Sequence, residues 1–84
     1  MNTNDNVLKE LVDRYNDLTA KWLKGCDWLS DPNRTQEEWD RGFERLQLRL
    51  RQLAEVYNEL VELGVYVEPE KFLDINTLVI RPPF

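Results

Sequence analysis

Residues 35–64, TQEEWDRGFERLQLRLRQLAEVYNELVELG, constrain the fold more than any other stretch of the chain. Trp39, Phe43, Leu46, Leu50, Leu53, Tyr57 and Leu60 recur at alternating steps of four and three. That period keeps one face of an α-helix apolar; a strand would need alternation at every second residue. The stretch also carries its own start and stop. Thr35 and Glu38 form a T-x-x-E capping box, each side chain satisfying the other residue's free backbone N–H. Glu37, Glu38 and Asp40 put negative charge at the positive end of the helix dipole. Gly64 suits the left-handed position just past a helix end.

A second stripe precedes it. Leu8, Leu11, Tyr15, Leu18, Trp22 and Leu29 again alternate at threes and fours, with Gly25 filling the seam between Trp22 and Leu29. Val12 and Cys26 widen the stripe on one side and Val7 on the other. Thr3, Asn4 and Asp5 are able N-caps. Asp5/Lys9, Glu10/Arg14 and Asp17/Lys21 are favourable i,i+4 pairs. Gly25 costs about 1 kcal/mol relative to alanine in a helix interior. The apolar period continues through Cys26 and Leu29, so the glycine is read as a point of close helix approach, not as the helix end. Ser30–Arg34 (SDPNR) is the turn, where Pro32 disfavours a helical Asp31.

A connection this short makes the two helices antiparallel neighbours. Facing residue numbers then sum to roughly 65. Leu29 is expected against Trp39, Trp22 against Phe43 and Leu46, Tyr15 against Leu50, and Leu8 against Tyr57. The predicted fold is all-α: an antiparallel two-helix hairpin over about 5–29 and 35–63. Residues 1–64 form the hairpin. Residues 65–84 form a C-terminal arm, packed on the hairpin or on a partner protomer.

The arm, VYVEPEKFLDINTLVIRPPF, loses the helical period. Residues 68–73 could make one helical turn with Pro69 at its first position. Residues 77–81 have strand composition, and Pro82 and Pro83 end it. A free tail this apolar would be an aggregation hazard, so it is expected to be docked. The second helix is also wider in apolar surface than one contact needs. Ala54 and Val61 flank its seam on one side, and Gly42, Val56 and Leu63 on the other. A second copy could cover the surplus as a four-helix dimer.

Composition narrows the function by exclusion. There is no histidine, which removes the commonest general base and metal ligand together. No nucleophile–base pair is visible, so no catalytic residue, cofactor or metal site is expected. Cys26 is the single cysteine; it suits a reducing cytoplasm and reads as a seam residue. The opening MNTNDN is polar and no apolar core follows, so a secretory leader is not expected. No run approaches the ~20 apolar residues of a membrane span. The net charge of −5 disfavours direct contact with nucleic acid or an anionic membrane surface.

What remains is surface recognition. Arg41, Arg45, Arg49 and Arg51 are the densest basic run, and the first three step by four along one side of the helix. They suit an acidic partner, or else pair with Asp13 and Asp17 of the first helix. Leu48 lies on the same outer face. Trp22, Trp28 and Trp39 gather at the turn end, mostly as core, with Trp28 off the seam. The candidate partner-binding residues are therefore Trp28, Arg41, Arg45 and Leu48, with Leu78, Val79, Ile80 and Phe84 of the arm as apolar anchors. The expected function is a small non-catalytic interaction or regulatory protein of the bacterial or phage accessory type, homodimeric, with an unidentified protein partner. Two other readings are open. Its acidic faces, Glu55, Glu59 and Glu62 among them, could occupy a nucleic-acid-binding site of a partner. Alternatively the chain is a structural subunit of a larger complex.

Overall fold

A computed structural model describes residues 3–80, and the side chains of 6–80. The side-chain caps expected from Thr3, Asn4 and Asp5, and the part of the arm at residues 81–84, lie outside the described residues. Two helices, α1 (Thr3–Leu29) and α2 (Gln36–Glu62), pack along one another as a helical hairpin. α1 does not break at Gly25.

The ends of α2 follow from local chemistry. Thr35 is extended (φ −71°, ψ 160°), and its hydroxyl accepts from the Glu38 N–H at 3.1 Å. The Thr35 N–H donates back to Glu38 Oε1 at 3.3 Å, which completes the capping box. At the other end Gly64 is left-handed (φ 83°). Its N–H donates to the Val61 carbonyl and the Val65 N–H to the Leu60 carbonyl, at 2.9 and 3.0 Å. This is the Schellman arrangement, whose usual apolar pair falls on Leu60 and Val65. Both are buried. The stop signal therefore also turns the chain back onto the core.

The core sits at the open end of the hairpin. Its buried apolar residues are Val12, Tyr15 and Leu18 of α1, Val56 and Leu60 of α2, and Val65 and Val67 of the segment that follows. Leu8, Leu11, Leu53, Leu73 and Leu78 pack against them. The segment is held by backbone contacts as well. Asn16 Nδ2 donates to the Leu73 carbonyl and the Leu73 N–H donates to Asn16 Oδ1, both at 2.7 Å. One side chain thus satisfies both polar groups of one residue 57 positions away. The Tyr66 N–H donates to Val79 O at 2.9 Å, beside a single antiparallel bridge between Val65 and Ile80.

Four expectations need correction. The strand over 77–81 reduces to that one bridge, and there is no strand among the described residues. The helical turn at 68–73 is instead a tight turn closed by Lys71 N–H to Glu68 O at 3.3 Å. Pro69 takes its second position and Glu70 its third at φ 64°, the pattern of a type II turn. The register is also shifted. Gly25 faces Leu46, and Gly42 faces Trp28 and Leu29, so facing numbers sum to 70 or 71. Side chains lean toward their helix N-terminus, which in an antiparallel pair displaces contacts from the level of the Cα atoms.

Finally, α2 is turned about its axis. Its inward positions are Gly42, Leu46, Arg49, Leu53, Val56 and Leu60, all buried or half-buried. Trp39, Phe43, Leu50 and Tyr57, expected in the seam, are exposed. At about 100° per residue this is a rotation of roughly 60°. It brings Gly42 against α1. An added Cβ there would lie 2.6 Å from the Trp28 ring and 2.9 Å from Leu29. Only glycine lets the helices meet so closely at the turn end.

Candidate interaction surfaces

The rotation of α2 leaves two different faces, one on each edge of the hairpin. The first is apolar. Trp39, Phe43, Leu50, Tyr57 and Val61 lie within about 40° of one another around α2. They are 38–49% exposed. Trp39 and Phe43 stack on each other, ring centroids 4.9 Å apart and planes 10° from parallel. The row continues onto a small groove of about 220 Å³ between the helices, lined by Trp22, Thr19 and Tyr15 and closed by the Pro69–Glu70 turn. Thr19 is buried there, and its hydroxyl makes no well-formed hydrogen bond. Burial raises the pKa of the Tyr15 phenol, the Thr19 hydroxyl opposes that rise, and Tyr57 adds to it.

The second face is basic. A groove of about 430 Å³ runs between the helices on the other edge, toward the turn. Lys21, Arg41, Arg45 and Arg49 line it, with Glu38 as its one acid. Its floor is Leu46 between the two glycines, Gly25 and Gly42, and its wall is Trp28. The glycines let Leu46 and Trp28 pack directly against the opposite backbone at the base of the groove. The Arg34 guanidinium stacks on the Trp28 ring, 3.9 Å from its centroid. Arg34 Nε also donates to the Trp28 carbonyl at 3.2 Å, so the indole is held from outside.

The arginines expected to pair across to Asp13 and Asp17 do not. Asp17 bonds Lys21 on its own helix at 2.9 Å. Arg41 pairs with Glu37 at 3.0 Å, fully at the surface. Arg49 donates to Gln52 at 3.1 Å. Arg45 has no ion-pair or hydrogen-bond partner among the described residues.

The structure thus gathers Trp28, Arg41 and Arg45 in one groove. Leu48, 59% exposed, lines the adjoining depression with Arg45 and Arg49. It does not bring the arm residues to the same place. Leu78 is half-buried against the core, and Val79 and Ile80 are exposed at the open end. Phe84 lies outside the described residues. Lys21, the two-glycine floor and the exposure of Trp39 and Phe43 are not evident from the apolar spacing. The glycines carried a signal, since both fall on positions where the helices face each other.

Cys26 is half-buried. Burial first, and the Glu70 carboxylate second, raise its thiol pKa, so it stays protonated near neutrality and is a poor nucleophile. Among the described residues no helix is long and apolar enough to cross a membrane. Comparison with known protein families, curated proteins and solved structures finds no match.

Proposed function

We propose that this is a small non-catalytic interaction protein of the bacterial or phage accessory type, acting in the cytoplasm as a homodimer. The observation that carries the proposal is the bare apolar row on α2. A two-fold interface must be self-complementary: if residue i meets j, then j meets i. The row meets that condition about Leu50. With two antiparallel α2 helices crossing there, Trp39 falls opposite Val61 and Phe43 opposite Tyr57. Heptad spacing alone makes such a row symmetric in position. The added support is that large apolar side chains occupy both halves. The chain extends 50 by 24 by 19 Å along its principal axes, and the row runs along α2. A standard interface needs roughly 800 Å² per partner, so neighbouring surface beside the row would have to join it. The pair would be a four-helix assembly with the stacked Trp39 and Phe43 covered.

Sedimentation equilibrium over a wide concentration range tests this. Wild type is expected at dimer mass. Leu50→Glu, which sets two carboxylates against each other on the axis, is expected at monomer mass with unchanged helix content. Leu48→Glu, on a different face, should remain dimeric. A monomeric wild type at high micromolar concentration would overturn the proposal.

A further inference from the structure

The basic groove lies on the other edge of α2 from the apolar row, so a partner could sit in it with the dimer intact. We infer that this groove binds an acidic segment of a partner protein, with carboxylates on Arg41, Arg45 and Arg49 and an apolar side chain against Trp28 and Leu46.

Charge is the first argument. The chain carries a net charge of −5, yet four of its eleven basic residues line this groove against a single carboxylate. That carboxylate, Glu38, is held in the capping box and pairs with Arg34 at 3.8 Å, not with Arg41, Arg45 or Arg49. A positive groove on an acidic protein concentrates anionic partners and rejects most others. Arg45 is uncommitted, and the bonds of Arg41 and Arg49 are short-range ones at or near the surface. Such exposed pairs are worth about 0–1 kcal/mol, so a carboxylate ligand displaces them at little cost.

Spacing is the second. Arg41, Arg45 and Arg49 stand about 6 Å apart along α2. In an extended peptide, alternate side chains repeat at about 6.6 Å on one side. Alternate carboxylates would therefore reach successive guanidinium groups, each with two acceptor oxygens for a planar fork of donors. The intervening apolar floor distinguishes this site from a phosphate track. The arginine line spans only about 12 Å, too short to neutralise much of a nucleic acid backbone. Arg34 already covers one face of the Trp28 ring, so at most the other is left for a ligand.

The test uses the full chain and a fluorescein-labelled peptide, Glu-Ala-Glu-Leu-Glu-Ala-Glu, read by anisotropy. The same peptide with glutamine for glutamate, a single-stranded oligothymidylate and inorganic phosphate serve as comparators. The glutamate peptide is expected to bind and to weaken with added salt, while the glutamine peptide binds at least roughly tenfold more weakly. Arg45→Gln and Arg45→Glu should each lower the affinity, the latter by roughly tenfold or more. Arg51→Glu, on the same helix but outside the groove, should leave it within about twofold. Helix content and assembly mass are checked for each variant, which separates loss of the groove from loss of the dimer. Equal binding of the glutamate and glutamine peptides, an Arg45→Glu variant of unchanged affinity, or binding weaker than about 1 mM would overturn the inference. Preferential binding of the oligonucleotide or of phosphate would overturn it as well.

Discussion

The two ends of this hairpin are built on the same helices and differ in what lies over them. At the open end three segments meet. α1, α2 and residues 65–80 enclose a core in which Val12, Val56 and Leu60 are at most 2% exposed. At the turn end there are only two layers. Trp28, Trp39, Phe43 and Leu50 remain 36–49% exposed. Beneath the third layer Tyr15 is 4% exposed, whereas two stripes alone leave Trp28, Trp39 and Phe43 partly in water. The turn end compensates by bringing its backbones together over Gly25 and Gly42, and its aromatics are left for another surface to cover.

The contrast breaks most directly at two leucines of the same helix. Leu60→Ala should cost about 2–5 kcal/mol, because it opens a cavity beneath the returning segment. Leu50→Ala should cost about 1 kcal/mol in a single hairpin, since half of that side chain is already in water. Urea denaturation at low protein concentration measures both. Equal costs would mean the two ends are energetically alike. If Leu50→Ala becomes more costly as protein concentration rises, the turn end is being covered by a second copy.

Next in size is the attachment of the third layer. Asn16→Ala removes both hydrogen bonds to Leu73, at about 2 kcal/mol in total. The effect should be local. Amides of residues 65–80 should exchange faster, while those of the turn end keep their protection. Uniform loss of protection would show that the segment and the hairpin unfold as one unit.

The glycines sharpen the turn end. Gly42→Ala gains about 1 kcal/mol of helix propensity. It sets a methyl group 2.6 Å from the rigid Trp28 ring and 2.9 Å from a Leu29 methyl, so two side chains must shift together, one of them held by the Arg34 stack. Overpacking of this kind costs about 1–3 kcal/mol, so net destabilisation is expected. At Gly25 the added methyl meets only the tip of Leu46, which can swing aside. Gly25→Ala should be neutral or slightly stabilising. Thermal melts of the two variants give the comparison, and a melting temperature for Gly42→Ala at or above wild type would refute the close approach.

These glycines also show how far the sequence could be read. Both helices, the capping box, the Gly64 stop and the hairpin are local patterns, and all were legible from spacing and side-chain type. Which edge of α2 turns inward was not. Its apolar stripe is wider than one partner can bury, so periodicity offers two solutions about 60° apart. The choice is made by Gly42, which lets α1 approach on that edge, and by Val65 and Val67, which cover Val56 and Leu60 from outside the helix. The Asn16 clamp was invisible for a related reason. A polar residue on a charged flank gives no hint of a backbone partner 57 positions away. In the groove, Arg41, Arg45 and Trp28 could be named singly, but their meeting with Lys21 depended on the register.

The smallest effect tests how the third layer is seated near the turn end. Glu70 sits at φ 64°, in the left-handed region. That conformation costs a non-glycine residue about 1–2 kcal/mol. Glu70→Gly removes the strain but gives back about 0.4–1 kcal/mol in unfolded-chain entropy. A net gain of roughly 0.5 kcal/mol is expected. A second readout is Cys26, whose raised thiol pKa owes its smaller part to the Glu70 carboxylate. A thiol pKa raised by folding gives stability that is complete below the unfolded value. That stability is lost as pH climbs through the folded value. Removing the carboxylate should lower the Cys26 pKa part of the way and soften that alkaline loss, while burial keeps the rest. Thiol alkylation rates against pH follow the shift. An unchanged Cys26 profile in a stabilised Glu70→Gly would mean that the turn relaxes without lying over α1, and that the third layer ends short of the aromatic half of the hairpin.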